Sequence, residues 1–222
     1  MKTIYLDIET IPTQKPGAME AIKSNLQPPG NISKSETIAA WWKEKAPAAV
    51  DEQYRKTALN GTEGEIVCIG WALDNGDTFS VSRGLDGSEA SILAEFFGHM
   101  DAATQSQPLW VGHNIISFDL RYLFQRAVIT GVNPLQPLPH DTRYNGEKVY
   151  DTMLAWAGWG NRISLVNLCA ALAIPVKQGD ITGATVWDAI QAGRIADVAD
   201  YCREDVAATR EAYHRMTFGQ RR

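Results

Sequence analysis

Asp7 and Glu9 stand two residues apart in TIYLDIETI, where Ile4, Leu6 and Ile8 alternate with Tyr5, Asp7 and Glu9. That period of two belongs to a β-strand with one apolar face. The two acids then share the opposite face, roughly 7 Å apart along the strand. Acidic residues are poor strand formers and neighbouring carboxylates repel. This segment alone leaves two readings open: an edge strand with one face in water, or a strand face that holds a cation.

Two more carboxylates bear on the choice. Asp119 closes WVGHNIISFD, at the start of a helical pattern just past a strand end, where α/β sheets form their clefts. Asp205 lies in DYCREDVAATREAY, with Tyr201 one helical turn before it on the same face. Taken singly, Asp119 is a dipole-favoured residue of a first helical turn, and Tyr201 with Asp205 is an ordinary exposed pair. His113 reads as a structural hydrogen-bonder outside any metal shell. Together, Asp7, Glu9, Asp119 and Asp205 form an oxygen-rich set suited to Mg²⁺, which keeps positions open for water and phosphate.

The elements that must position these residues follow from periodicity and turn chemistry. EIVCIGWAL reads as a buried strand joined to TFSVSR through an Asn-Gly hairpin turn. A helix is expected from Ser88 to Thr104, then a short strand in PLWVGHN, then a helix in SFDLRYLFQRAVITG that stops at Gly131. A Pro-rich polar loop covers Val132 to Gly146, and KVYDT is a short strand. Beyond Asp151 the pattern is helical. Ser164 caps LVNLCAALAI, Pro175 ends it, and a last helix runs from Asp197 to Met216. Between the first strand and the hairpin, residues 13–64 read as a helical insertion, with Ser33 to Glu36 at capping-box spacing before TIAAWWKEK. This order gives an α/β fold, a mixed sheet flanked by helices, in one domain over residues 1–222.

At 222 residues, with 45% hydrophobic and 21% charged, the composition is globular rather than disordered. No apolar run is long enough to span a membrane, and no h-region follows the N-terminus. Three scattered cysteines suit a reducing compartment, so a cytoplasmic protein is expected. The net charge of -5 is unevenly spread: residues 13–60 carry seven Lys/Arg against five Asp/Glu, and the remainder 14 against 21. An acidic body that includes metal-binding carboxylates has this balance.

LDIET, HNIISFD and YCREDV resemble, in order, the three motifs of the DEDD superfamily of 3′-5′ exonucleases, whose fold is ribonuclease-H-like. N-x-x-x-F-D and Y-x-x-x-D are similar to the tyrosine-bearing subclass, as in the proofreading domains of family B DNA polymerases. NISKSETIAAWWKEK, GEIVCIGWA, VGHNIISFDLRYL and DITGATVWD resemble a bacterial and phage family described as predicted 3′-5′ exonucleases related to that domain. With no polymerase after Arg222, a stand-alone nuclease is expected.

The resemblance implies two Mg²⁺ (or Mn²⁺) ions and assigns roles. Asp7 bridges both ions, Glu9 and Asp205 complete the one that activates water, and Asp119 serves the other. Tyr201 orients the attacking water. Thr10 and Ile11 hold the 3′-terminal nucleotide with backbone donors and an apolar wedge, and Asn114 and Phe118 place its base or sugar. The expected substrate is the 3′ end of DNA, single-stranded. An exoribonuclease with the same residues and an inactive nucleic-acid-binding module are the alternatives. In the insertion, Trp41 or Trp42 with Lys43, Lys45, Arg55 and Lys56 forms either a strand-binding face or plain scaffold.

Overall fold

The computed structural model describes residues 2–103, 107–143, 146–176 and 179–219. The acidic strand, β1 (Thr3–Ile11), is the middle strand of five. On one side β2 (Glu65–Leu73) runs antiparallel to it, and β3 (Thr78–Ser82) pairs antiparallel with β2 to form one sheet edge. On the other side β4 (Leu109–Gly112) and β5 (Val149–Asp151) are parallel to it, giving the order β3-β2-β1-β4-β5. An edge strand facing water is therefore excluded. The carboxylates of β1 are held at the centre of the sheet.

Both faces of β1 are covered. Ile4, Leu6 and Ile8 pack with Trp71 under α4 (Glu89–Ala103) and α5 (Asp119–Thr130). Tyr5 on the opposite face packs with Ala72, Val111, Val206 and Tyr213, the last two from α9 (Ile195–Met216). The alternation read from the sequence is present, but the face of Tyr5 and Asp7 lies beneath a helix instead of solvent. α5 ends where Gly131 takes φ 72 and its N–H returns to the carbonyls of Ala127 and Val128. Glu89 and Arg126 form a buried ion pair at 2.6 Å between α4 and α5, and Glu89 also accepts the Ile66 N–H at 2.7 Å. This fold thus gives a buried acid its cation where the acid is structural.

Residues 13–64 hold α1 (Ala18–Asn25), α2 (Ser35–Glu44), α3 (Ala46–Lys56) and a short 3₁₀ turn. They are sewn to the end of β1. Thr57 Oγ1 accepts the Thr13 N–H at 3.0 Å, and the Tyr54 hydroxyl donates to the Thr13 carbonyl at 2.9 Å. The capping box expected at Ser33 is not formed: Lys34 is the N-cap of α2 and no side chain caps it.

Near the C-terminus, α6 (Thr152–Ala157), α7 (Leu165–Ala171) and α8 (Val186–Gln191) precede α9. Ser164 caps α7, accepting the Asn167 N–H at 3.2 Å. α7 is shorter than its apolar run, since Ala173 at φ 53 turns the chain before Pro175 is reached. The expected end of α4 at Thr104 lies outside the described residues.

Candidate active site

β4 pairs with β1 only from Thr3 to Tyr5, so the far half of β1 has an open edge on that side. Asp119, the first residue of α5, reaches across it: its Oδ1 accepts the Ile8 N–H at 3.2 Å. On the other side the register sets Asp7 opposite Gly70 and Glu9 opposite Cys68, with an irregularity just after Glu9. α9 passes over this point. A Cβ on Gly70 would lie 2.8 Å from Cys202 Sγ and 3.2 Å from the Cys202 carbonyl. A glycine there is what lets the helix sit against the strand.

That approach delivers the neighbours of Cys202 to β1. Ligand atoms of Asp7, Glu9 and Cys202 all fall within 4.8 Å of one another. Asp205 stands beyond that triplet, yet its charge acts on both Asp7 and Glu9. Tyr201 lies one turn earlier on α9, and its hydroxyl is a hydrogen-bond partner of the Asp205 carboxylate. The structure therefore brings Asp7, Glu9, Asp119, Tyr201 and Asp205 together from three elements.

The electrostatics of the group are unfavourable as it stands. Burial, then the charges of Glu9, Asp119 and Asp205, push Asp7 well above the usual carboxylate range. Burial and Asp205 do the same to Glu9. Burial lifts Asp119 to about 7 and Asp205 to about 6, the latter against the hydrogen bond from Tyr201. Tyr201 is raised by burial and by Asp205, so its hydroxyl stays protonated. Among the described residues none of the four acids has an ion-pair partner, although Glu65 and Glu89 are matched by Arg83 and Arg126. Clustered carboxylates in this state fit a divalent cation, which supplies the missing positive charge.

The neighbouring substrate candidates divide. Asn114 takes the left-handed conformation at φ 67, its N–H is held by Asp151 at 3.1 Å, and its Oδ1 is buried without a partner. Phe118 is half-buried against the core and Tyr122, ring centroids 5.3 Å apart. The Thr10 hydroxyl donates to the Ala58 carbonyl at 2.8 Å. Ile11 is fully buried beside Val67 and Val186, which makes it core and not a wedge.

In the insertion, Trp41 and Trp42 are both half-buried, edge to face at 5.1 Å, on the small core of Leu26, Ala46 and Val50. Arg55 is engaged by Asp51 and Asp188, and Lys56 by Glu52. Only Lys43 and Lys45 of that basic set stand exposed without an ion pair among the described residues.

Three positioning residues went unnoticed in the sequence. Asp151, almost fully buried, accepts the N–H groups of Asn114, Ile116 and Leu154, fixing the loop between β4 and α5 to α6. An Asp ending a strand before a helical run was the available cap signal. Gly70 and Cys202 carried none, because their meeting depends on how α9 crosses the sheet. His113 is the structural hydrogen-bonder expected of it: Nε2 faces the Ile163 carbonyl at 2.8 Å and Nδ1 the Thr152 hydroxyl at 2.9 Å.

Residues 59–221 match the family described as predicted 3′-5′ exonucleases related to the exonuclease domain of PolB. The chain belongs to that family. A family B DNA polymerase from the hyperthermophilic archaeon Pyrobaculum calidifontis shares its fold, with a TM-score of 0.56 at 14% identity over 98% of this chain. The chain spans 24% of that polymerase's length. No curated protein sequence matches it. The mixed sheet flanked by helices is thus the ribonuclease-H-like fold of a polymerase exonuclease domain, and this family member carries two of its four clustered acids, Asp7 and Glu9, on the central strand.

Proposed function

We propose that the protein is a metal-dependent 3′-5′ exonuclease of the tyrosine-bearing DEDD subclass that removes nucleotides from single-stranded DNA ends in the cytoplasm. The observation that carries this reading is the convergence of Asp7, Glu9, Asp119 and Asp205 beside Tyr201, with Glu9 and Asp119 buried, Asp7 and Asp205 half-buried, and none of the four in an ion pair among the described residues. Asp7, Glu9 and Asp205 would hold one Mg²⁺ or Mn²⁺ ion, and Asp7 with Asp119 a second. Bound there, such ions lower the pKa of water and neutralise charge on a phosphodiester.

The chain's own groups do the rest. Tyr201, kept protonated, donates through its hydroxyl and orients water next to Asp205. It is no general base at neutral pH. Asn114 Oδ1, a buried acceptor lacking a donor, receives a hydrogen bond from the terminal nucleotide. Phe118 limits where the terminal base lies, and Thr10 offers backbone donors at the end of the acidic strand. Lys43 and the open part of Trp41 contact the strand farther from the cut.

A 3′-labelled oligonucleotide supplied as single-stranded DNA, duplex DNA and RNA tests the reading. Release of the label as a mononucleotide from single-stranded DNA with Mg²⁺, blocked by a 3′-phosphate, is expected. Preferred release from RNA would make the protein an exoribonuclease. Internal cleavage would overturn the exonuclease assignment.

A further inference from the structure

His113 pins both ends of a loop. One ring nitrogen faces the hydroxyl of Thr152 and the other the carbonyl of Ile163, so residues 152–163 leave and return on a single imidazole. That imidazole adjoins Asn114, the residue with the unpartnered acceptor. Asp151, immediately before the loop, holds the N–H groups of Asn114 and Ile116. The loop is therefore rooted at the edge of the acidic site.

Its outer part is built to project aromatic rings. Gly158 and Gly160 take φ 78 and φ 82, turning the chain sharply on either side of Trp159, and no atom lies within 4 Å of where their Cβ atoms would be. Asn161 closes the turn, donating from Nδ2 to the Ala157 carbonyl at 3.1 Å. Trp159 is 76% exposed and Trp156 45%. Neither ring meets another aromatic among the described residues, whereas Trp41, Trp71 and Trp187 all do. Arg162 is exposed beside them and makes no ion pair among the described residues. Two exposed indoles and a guanidinium without an ion pair among the described residues, on a braced loop, form a surface suited to a planar, anionic ligand.

We propose that the 156–162 loop is a stacking platform for the unpaired bases upstream of the scissile nucleotide, with Arg162 on the adjacent phosphate. The proposal rests on the exonuclease reading above and names where that site holds its substrate strand. Stacking on an aromatic face is worth roughly 1–3 kcal/mol per base and is indifferent to sequence, as an exonuclease substrate requires.

Binding of a fluorescent oligothymidylate, measured by anisotropy in EDTA and in Ca²⁺, tests it in the full chain. Trp159→Ala weakens binding by about 5- to 150-fold, the range one lost stack gives, while Trp159→Phe recovers most of it. Trp156→Ala has a smaller effect in the same direction. Arg162→Gln lowers the salt slope by roughly 0.7. A thymidine dinucleotide, which on this proposal fills only the cleavage site, and a blunt duplex, with no unpaired bases, bind each variant and the wild type alike. Unchanged oligonucleotide affinity in Trp156→Ala/Trp159→Ala overturns the platform, as does an equal loss on blunt duplex. If the wild type binds through these tryptophans yet hydrolyses nothing with Mg²⁺ or Mn²⁺, the exonuclease reading fails and the platform stands. If it hydrolyses DNA while the double variant binds normally, only the platform fails.

Discussion

A Cβ on Gly70 would stand 2.8 Å from the Sγ of Cys202, closer than the two atoms can pack. Because Gly70 faces Asp7 across the ladder, this contact sets the distance between α9 and the acidic strand. Gly70→Ala must push the helix outward and carry Tyr201 and Asp205 with it. Overpacking of this kind costs about 1–3 kcal/mol in stability. A displacement near 1 Å costs ~100-fold in rate. The variant is expected to fold, melt earlier and lose kcat far more than KM. Wild-type kcat in a folded Gly70→Ala would show that the approach of α9 is not rate-determining.

The acidic site links stability to pH in the metal-free protein. Asp119 at about 7 and Asp205 at about 6 lie above the unfolded carboxylate value of about 4. Between those values the folded chain binds more protons than the unfolded one, so these groups stabilise the fold less as pH rises from about 4 to about 7. In EDTA the melting temperature of the wild type should therefore fall across that window relative to Asp119→Asn/Asp205→Asn. Saturating Mg²⁺ should remove the difference. A wild-type curve parallel to the double variant in EDTA would contradict the linkage.

Tyr201 and the carboxylates should separate kinetically. Tyr201→Phe keeps the ring against its apolar neighbours and loses only the hydroxyl. A rate loss of ~10- to 1000-fold is expected, smaller than for Asp205→Ala, since orienting a water is worth less than holding charge. The pH–rate profile should keep its shape, because a protonated Tyr201 contributes no ionisation near neutrality. An unchanged rate would reduce Tyr201 to a packing residue.

Asp151 acts through Asn114. Its carboxylate satisfies three N–H groups, and Asp151→Ala leaves them unmet at about 1–3 kcal/mol each where buried. Asp151→Asn retains one acceptor oxygen and should recover part of the melting temperature. KM for a short oligonucleotide should rise in both variants, in parallel with the loss of the Asn114 loop. Normal KM in a destabilised Asp151→Ala would limit the residue to folding.

Much of this arrangement was legible because it is local. The period of two in TIYLDIETI, the Asn-Gly turn, the capping role of Ser164 and the four-residue step from Tyr201 to Asp205 each rest on neighbours in sequence. What was illegible depends on how elements meet. Whether β1 lay at an edge or the centre is settled by strands nearly 60 and 100 residues away, and only the sheet shows that Asp7 lies on the middle strand. Ile11 read as a ligand wedge because its motif says nothing of Val67 and Val186 packed over it. The sequence leaves Trp41 and Trp42 between a strand-binding face and scaffold because an apolar cluster inside a 13–64 insertion has no sequence signature of its own. The roles of Trp156 and Trp159 are illegible in the sequence for the converse reason. Their exposure follows from two left-handed glycines and a histidine some 40 residues earlier.

On the proposed function, the acids of β1 bind cations for hydrolysis at a DNA 3′ end. The most direct measurement is release of the 3′-terminal nucleotide from single-stranded DNA by the wild type and by Asp7→Asn, each in EDTA, Mg²⁺ and Mn²⁺. Asn is nearly isosteric and removes the repulsion among the acids, so the variant should fold at least as well as the wild type in EDTA. Release by the wild type with either metal, none in EDTA, and a loss of at least ~1000-fold in Asp7→Asn with both are expected. Release that persists in EDTA, or near wild-type release by a folded Asp7→Asn, would contradict it.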